Sequence, residues 1–213
     1  MIVTSVANAR TVWLFDLNDL NPRGTYIYDA LFAWLIERYR FAKAPAHTRD
    51  QVENAWEFLD GKFFTTENIP VEVRLRIYGD GLIGETRSST TDAEAFLRDV
   101  LSSAVREFGL TFRESMVLKK LYVSELNLDS DQSLETIHPR MPAFSETVSK
   151  AFGSQCQPAS IAFSSAAGGQ PVFRFERKAN VPFSENKYWS LANLETSTHI
   201  ELLHQLESLL APA

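Results

Sequence analysis

Val71-Glu72-Val73-Arg74-Leu75-Arg76-Ile77-Tyr78 alternates apolar and polar side chains without a break. A strand turns successive side chains to opposite faces. The stretch therefore predicts a strand with Val71, Val73, Leu75 and Ile77 on one face and Glu72, Arg74, Arg76 and Tyr78 on the other. Gly79-Asp80-Gly81 follows as a tight-turn sequence, and Leu82-Ile83 opens a return strand. A half-buried hairpin puts antiparallel sheet at the centre of the fold.

Outward from this hairpin the pattern changes period. Thr91, with Glu94 three residues on, reads as the cap of a helix. Ala93, Phe96, Leu97, Val100, Leu101, Ala104 and Phe108 form its buried stripe, and Gly109 stops it. Upstream, Thr11 to Leu17 reads as a strand, with a shorter strand before it over Met1 to Val6. A helix is expected from about Thr25 to Phe41, closed by Ala44-Pro45. Thr48 and Gln51 suggest a capping box for a further helix over 48–60, with Val52, Trp56 and Leu59 on its apolar face and Gly61 as its stop. Lys62 to Thr65 is a short strand.

The second half follows the same grammar. Val117 to Leu128 reads as a strand and Pro142 to Phe152 as a helix with Phe144, Val148, Ala151 and Phe152 on its apolar side. Ala159 to Ser164, Pro171 to Arg177 and Lys187 to Leu191 read as strands. The last helix carries Ile200, Leu203, Leu206 and Leu210, with Thr198 and Glu201 as its capping box. Arg74-Leu75-Arg76 falls where Arg174-Phe175-Glu176 falls, and Thr91-Asp92-Ala93-Glu94 where Thr198-His199-Ile200-Glu201 falls. The fold expected is α+β, with two strand–helix–strand–strand–strand–helix repeats, 1–110 and 111–213. They would form a pseudo-twofold antiparallel sheet covered by helices, in a single compact domain over 1–213.

A duplicated strand–helix–strand–strand unit is similar in outline to the modules of gyrase-inhibitor-like small-molecule-binding domains. The similarity is one of topology, with no shared motif. The similarity carries no function with it. The repeat architecture itself places a seam between the two copies, a common place for pockets, and Trp13, Trp34, Tyr78 and Trp189 would be candidate walls for a ligand there.

Composition narrows the function classes. The 213 residues are 45% hydrophobic and 23% charged, as in an ordinary globular protein. Residues 1–106 hold 12 Lys/Arg against 15 Asp/Glu, and 107–213 hold 9 against 12, so each half is acidic at −3. No basic footprint for nucleic acid is present. No apolar run suits a membrane span. The opening Met1-Ile2-Val3-Thr4-Ser5 does not look like a secretory signal, and Cys156 is the single cysteine. A cytoplasmic location is expected.

Chemistry-bearing patterns are thin. His199 and His204 stand five apart and do not share a helix face, and His-Glu-x-x-His is absent, so no metal site is expected. Asn127-Leu128-Asp129-Ser130-Asp131 resembles the start of a calcium loop. Gln132 and His138 occupy the positions that need Gly and Glu. Gly79-Asp80-Gly81-Leu82-Ile83-Gly84 lies in a hairpin and does not make a phosphate cradle. No serine sits in Gly-x-Ser-x-Gly. Cys156 or a serine with His138 would be the weakest option, a hydrolase. No catalytic residue and no cofactor is expected.

Binding remains. Arg74, Arg76 and Tyr78 project from one strand, and Arg174 and Glu176 from its counterpart. The guanidinium fork suits carboxylate or phosphate, although cross-strand ion pairs would also account for these charges. The connection from Asn180 to Trp189 is long for a hairpin and carries Phe183, Tyr188 and Trp189, aromatics of the kind that anchor interfaces. The function expected is a non-enzymatic protein-binding or assembly subunit, with a protein partner or a second copy. The alternative is a small-molecule-binding regulator.

Overall fold

The computed structural model describes residues 1–211. The protein is α+β: an open, antiparallel eight-stranded sheet with four α-helices among the described residues. In chain order the elements are β1 (Ile2–Leu14), α1 (Tyr28–Tyr39), β2 (Trp56–Phe64), β3 (Pro70–Tyr78), β4 (Gly81–Thr86), α2 (Thr90–Phe108), β5 (Lys119–Asp129), α3 (Met141–Phe152), β6 (Ser160–Phe163), β7 (Phe173–Arg177), β8 (Lys187–Ala192) and α4 (Thr196–Leu210). The strand order is β2-β3-β4-β1-β5-β8-β7-β6. Two compact units divide the chain: Asn8–Val123, and Met1–Ala7 with the chain from Ser124 onward.

The 8–123 unit is built on the hairpin that the sequence announces. Val73 pairs with Thr86 and Tyr78 with Gly81 across β3 and β4. Val73, Leu75 and Ile77 are buried, and Arg74, Arg76 and Tyr78 lie on the opposite face. α2 covers the buried side with Ala93, Phe96, Leu97, Val100, Leu101 and Ala104. Its N-cap is Ser89, whose Oγ accepts from Asp92 N at 3.0 Å, so the cap lies two residues before the expected Thr91, and Thr91 and Glu94 lie inside the helix. Gly109 closes it in the left-handed conformation.

The expected helix over 48–60 is a turn and a strand. Val52 and Ala55 exchange both backbone hydrogen bonds at 2.9 Å, with Glu53 and Asn54 at positive φ between them. That is a two-residue turn of the kind that launches hairpin strands, with Asn at a favoured position. β2 then runs from Trp56, burying Phe58. The residues 52, 55, 56 and 59 satisfied a helical period, but a turn between them cuts it. The register slips between Phe58 and Gly61, where the Phe41 ring lies directly over the glycine.

The other unit has its own core of Leu126, Leu128, Leu134, Phe173, Phe175, Tyr188, Leu203, Leu206 and Leu210. α4 starts at Thr196, with no side-chain cap bond at Glu195, so Thr198 and Glu201 lie inside the helix and do not cap it. α3 follows Arg140, with Pro142 in its first turn, and Gly153 ends it. Ser145 is its one buried residue.

Candidate functional site

Arg74, Arg76 and Tyr78 share the helix-free face of β3, and their charges are answered within the unit. Arg76 Nε donates to Glu57 Oε1 at 2.7 Å, across the β2–β3 pair, and Arg76 Nη1 lies 3.9 Å from Glu85 Oε1. Burial works against the Arg76 charge, but Glu85 and Glu57 outweigh it and raise the pKa further. Glu85, nearly buried, also accepts from Arg10 Nε at 2.5 Å. Arg74 stands 3.7 Å from Glu72 on its own strand. Ion pairs, across strands for Arg76 and Arg10 and within β3 for Arg74, thus account for the basic residues on this face.

In the other unit the register forms two rows on the face opposite Phe173, Phe175 and Tyr188. Glu125, Leu191, Arg174 and Ala162 make one, and Asn127, Trp189, Glu176 and Ser160 the other. Arg174, Glu176 and Trp189 are therefore brought together, with Arg174 Nε 3.3 Å from Glu176 Oε1. Tyr188, one residue from Trp189, points the other way. It is fully buried and stacks on Phe175 with centroids 4.5 Å apart. Its hydroxyl accepts from Leu134 N at 3.2 Å, and burial raises its pKa. Tyr188 is a core residue at the base of the loop. Phe183, half-buried in a short 3-10 turn, faces the Arg177 guanidinium at 5.2 Å.

His138 and Cys156 are each held by local partners rather than by one another. His138 Nδ1 accepts from Arg140 N, and Cys156 N donates to Ser149 Oγ. A Ser–His contact does exist between Ser190 and His199, but both side chains are fully buried and closed to a substrate. Among the described residues no group of three or more His, Cys, Asp or Glu is placed to hold a metal ion. No helix is long and apolar enough to cross a membrane.

Two features escaped the sequence reading. Two rings on the apolar side of α3 stand in solvent, Phe144 at 64% exposed and Phe152 at 77%, while Met141 and Val148 are half-buried. Met141, Phe144 and Val148 recur at helical spacing and wall a groove of about 190 Å³ with Cys156 and Pro158. Periodicity marks the stripe but does not say which of its side chains remain exposed. The second feature is Arg177. It ends the alternating run of β7 and gave no signal, because what matters is its set of neutral partners.

Three of the cavities among the described residues lie each within one unit. One, of about 60 Å³, is enclosed by Leu20, Phe32, Leu35, Val100, Leu101 and their neighbours in the 8–123 unit, well below the size of a ligand pocket. The α3 groove is the second. The third, of about 530 Å³, lies beside the 181–186 loop. Trp13, Trp34, Tyr78 and Trp189 line none of these. No family model matches the sequence, and no curated protein matches it.

Proposed function

We infer that the protein acts by binding another protein chain, as an assembly subunit rather than an enzyme. The observation that carries this reading is the exposure of the Phe144 and Phe152 rings on the apolar side of α3. Monomeric proteins seldom leave contiguous large apolar side chains in water, and such patches mark interaction surfaces. Phe163 on the edge strand β6, 58% exposed, adds to the apolar surface of the same unit. Internal pairing of Arg74, Arg76 and Arg174 argues for this stripe over the charged strand faces as the contact. The single cysteine and the acidic balance are compatible with a cytoplasmic assembly.

We also read the chain as two copies of one strand–helix–strand–strand–strand–helix unit, the finer arrangement expected from the sequence. What supports it is the element succession, which runs βαβββα twice, and the strand order, which is the same counted inward from β2 or from β6.

The test is native mass spectrometry of protein purified from its own host at low salt, alongside a Phe144→Ser/Phe152→Ser variant. A defined oligomer or stoichiometric partner that the variant loses supports the reading. A bare monomer, or a complex that survives the substitutions, overturns it.

A further inference from the structure

Arg177 carries a charge that no carboxylate answers among the described residues. Its guanidinium is engaged by four neutral acceptors instead: Nε donates to Pro158 O at 3.2 Å, Nη1 to Phe183 O at 3.1 Å, and Nη2 to Ser133 Oγ at 2.8 Å and Gln157 Oε1 at 2.9 Å. The rings of Phe183 and Tyr188 stand 5.2 and 5.3 Å from it. These acceptors come from three separate segments, and the same three segments wall the cavity of about 530 Å³. That volume is within the range of small-molecule sites. One rigid, planar donor group thus fixes all three walls.

The walls keep donors that their internal hydrogen bonds do not use. Ser133 Oγ accepts from Arg177 and from Glu135 N at 3.2 Å, so its lone pairs are used and its proton is free. Gln157 has its carbonyl end on Arg177, which leaves the amide N–H groups. Asn186 Oδ1 lies 3.3 Å from the Tyr188 hydroxyl, whose single proton has a nearer acceptor in Gln132 O at 3.1 Å, and the Asn186 N–H groups also remain. The wall is therefore rich in donors and backed by a fixed positive charge. Glu135 is the one carboxylate in the lining, and it has no ion-pair partner among the described residues. Pro182 and Phe183 supply an apolar side.

We propose that this cavity binds a small zwitterion, an α-amino acid with an apolar side chain. The carboxylate meets the donors of Ser133, Gln157 and Asn186 in front of Arg177. The ammonium meets Glu135, and the side chain lies against Phe183. A simple anion would face Glu135 unpaired, and a simple cation would face the donors and the guanidinium. The site adjoins the α3 groove and shares Gln157 with it, but Ser133, Glu135, Phe183 and Asn186 line this cavity alone.

The experiment is a titration followed by amide NMR. The probes are L-leucine and L-phenylalanine, with 4-methylpentanoate as the carboxylate alone and 3-methylbutylamine as the amine alone. Saturable shifts are expected at Glu135, Ser184 and Asn186 with the amino acids, and affinity about tenfold weaker for either half-probe. Ser184→Trp, at an exposed lining position, abolishes the shifts by filling the cavity. Glu135→Gln lowers amino-acid affinity toward that of 4-methylpentanoate without weakening the latter. The proposal is overturned if no amino acid gives saturable shifts, if Ser184→Trp leaves them in place, if Glu135→Gln has no effect, or if a half-probe binds as tightly as the amino acids.

Discussion

Ser190 Oγ lies 2.8 Å from His199 Nε2 in the interior of the second unit, and neither side chain reaches solvent. Ser190 also donates to Arg174 O at 2.7 Å, which commits its proton there and assigns the hydrogen between the two residues to Nε2. α4 brings the imidazole edge-on to Phe173 and over β5 and β8. Burial, opposed only in part by the Ser124 backbone, lowers its pKa to about 4.

A pH dependence follows from that shift. Unfolded, the ring titrates near 6.5; folded, near 4. Between these values the unfolded chain takes up a proton that the folded chain refuses, so stability falls as the pH drops through this window. The folded-state advantage is complete above 6.5, and about 3 kcal/mol is lost by pH 4. Urea midpoints across this range should drop accordingly, and His199→Gln should flatten the slope. An unchanged slope in that variant would assign the effect to other groups.

Gly84 sits where α2 presses on β4. A Cβ built there lies 2.9 Å from Leu97 Cγ and 3.1 Å from Ala93 O. One of these neighbours is a backbone carbonyl of the helix, so the contact cannot be relieved by rotating a side chain alone. Gly84→Ala should cost about 1–3 kcal/mol despite adding only a methyl group. Gly79→Ala in the adjoining turn meets nothing within 4 Å and serves as the control. Equal stabilities for the two variants would mean that α2 moves away freely.

Much of this architecture was legible because one physical signal governed it. From β3 through α2, a period of two gives way to a period of three to four, and the side chains that obey each are the ones buried. The signal failed at Val52 to Leu59, where spacing alone mimicked a helix and the backbone requirements of Glu53 and Asn54 decided otherwise. At the candidate sites the difficulty was of another kind. Tyr188 and Trp189 are neighbours on one strand with opposite fates, and an aromatic cluster read without its register hides that. Arg177 and α3 depend on partners distant in sequence or missing altogether, which no local pattern encodes.

The α3 stripe can be separated from the core by stability alone. Phe152→Ser removes a ring that is already in water, so the unfolding free energy should change by less than about 0.5 kcal/mol. Phe175→Ala removes a ring that is fully buried against Tyr188 and should cost about 3–5 kcal/mol. A large loss from Phe152→Ser would make the residue part of the fold and weaken the case for a partner.

Arg177→Lys tests whether charge or geometry holds the 181–186 loop. Lysine keeps the charge but concentrates its donors at one point, whereas the acceptors on Pro158, Phe183, Ser133 and Gln157 surround a planar fork. At least two of them lose their partner, and each unpaired, partly buried group costs about 1 kcal/mol or more. The ring contacts with Phe183 and Tyr188 weaken as well, since an ammonium does not stack. The variant should lose about 2 kcal/mol, with faster amide hydrogen exchange over 183–186. Arg174→Lys, whose partly exposed side chain needs only Glu176, should stay within about 0.5 kcal/mol of the parent. If both lysine variants behave alike, the loop is held by its own turn, with hydrogen bonds such as Glu185 N to Pro182 O at 3.0 Å, and the guanidinium is dispensable.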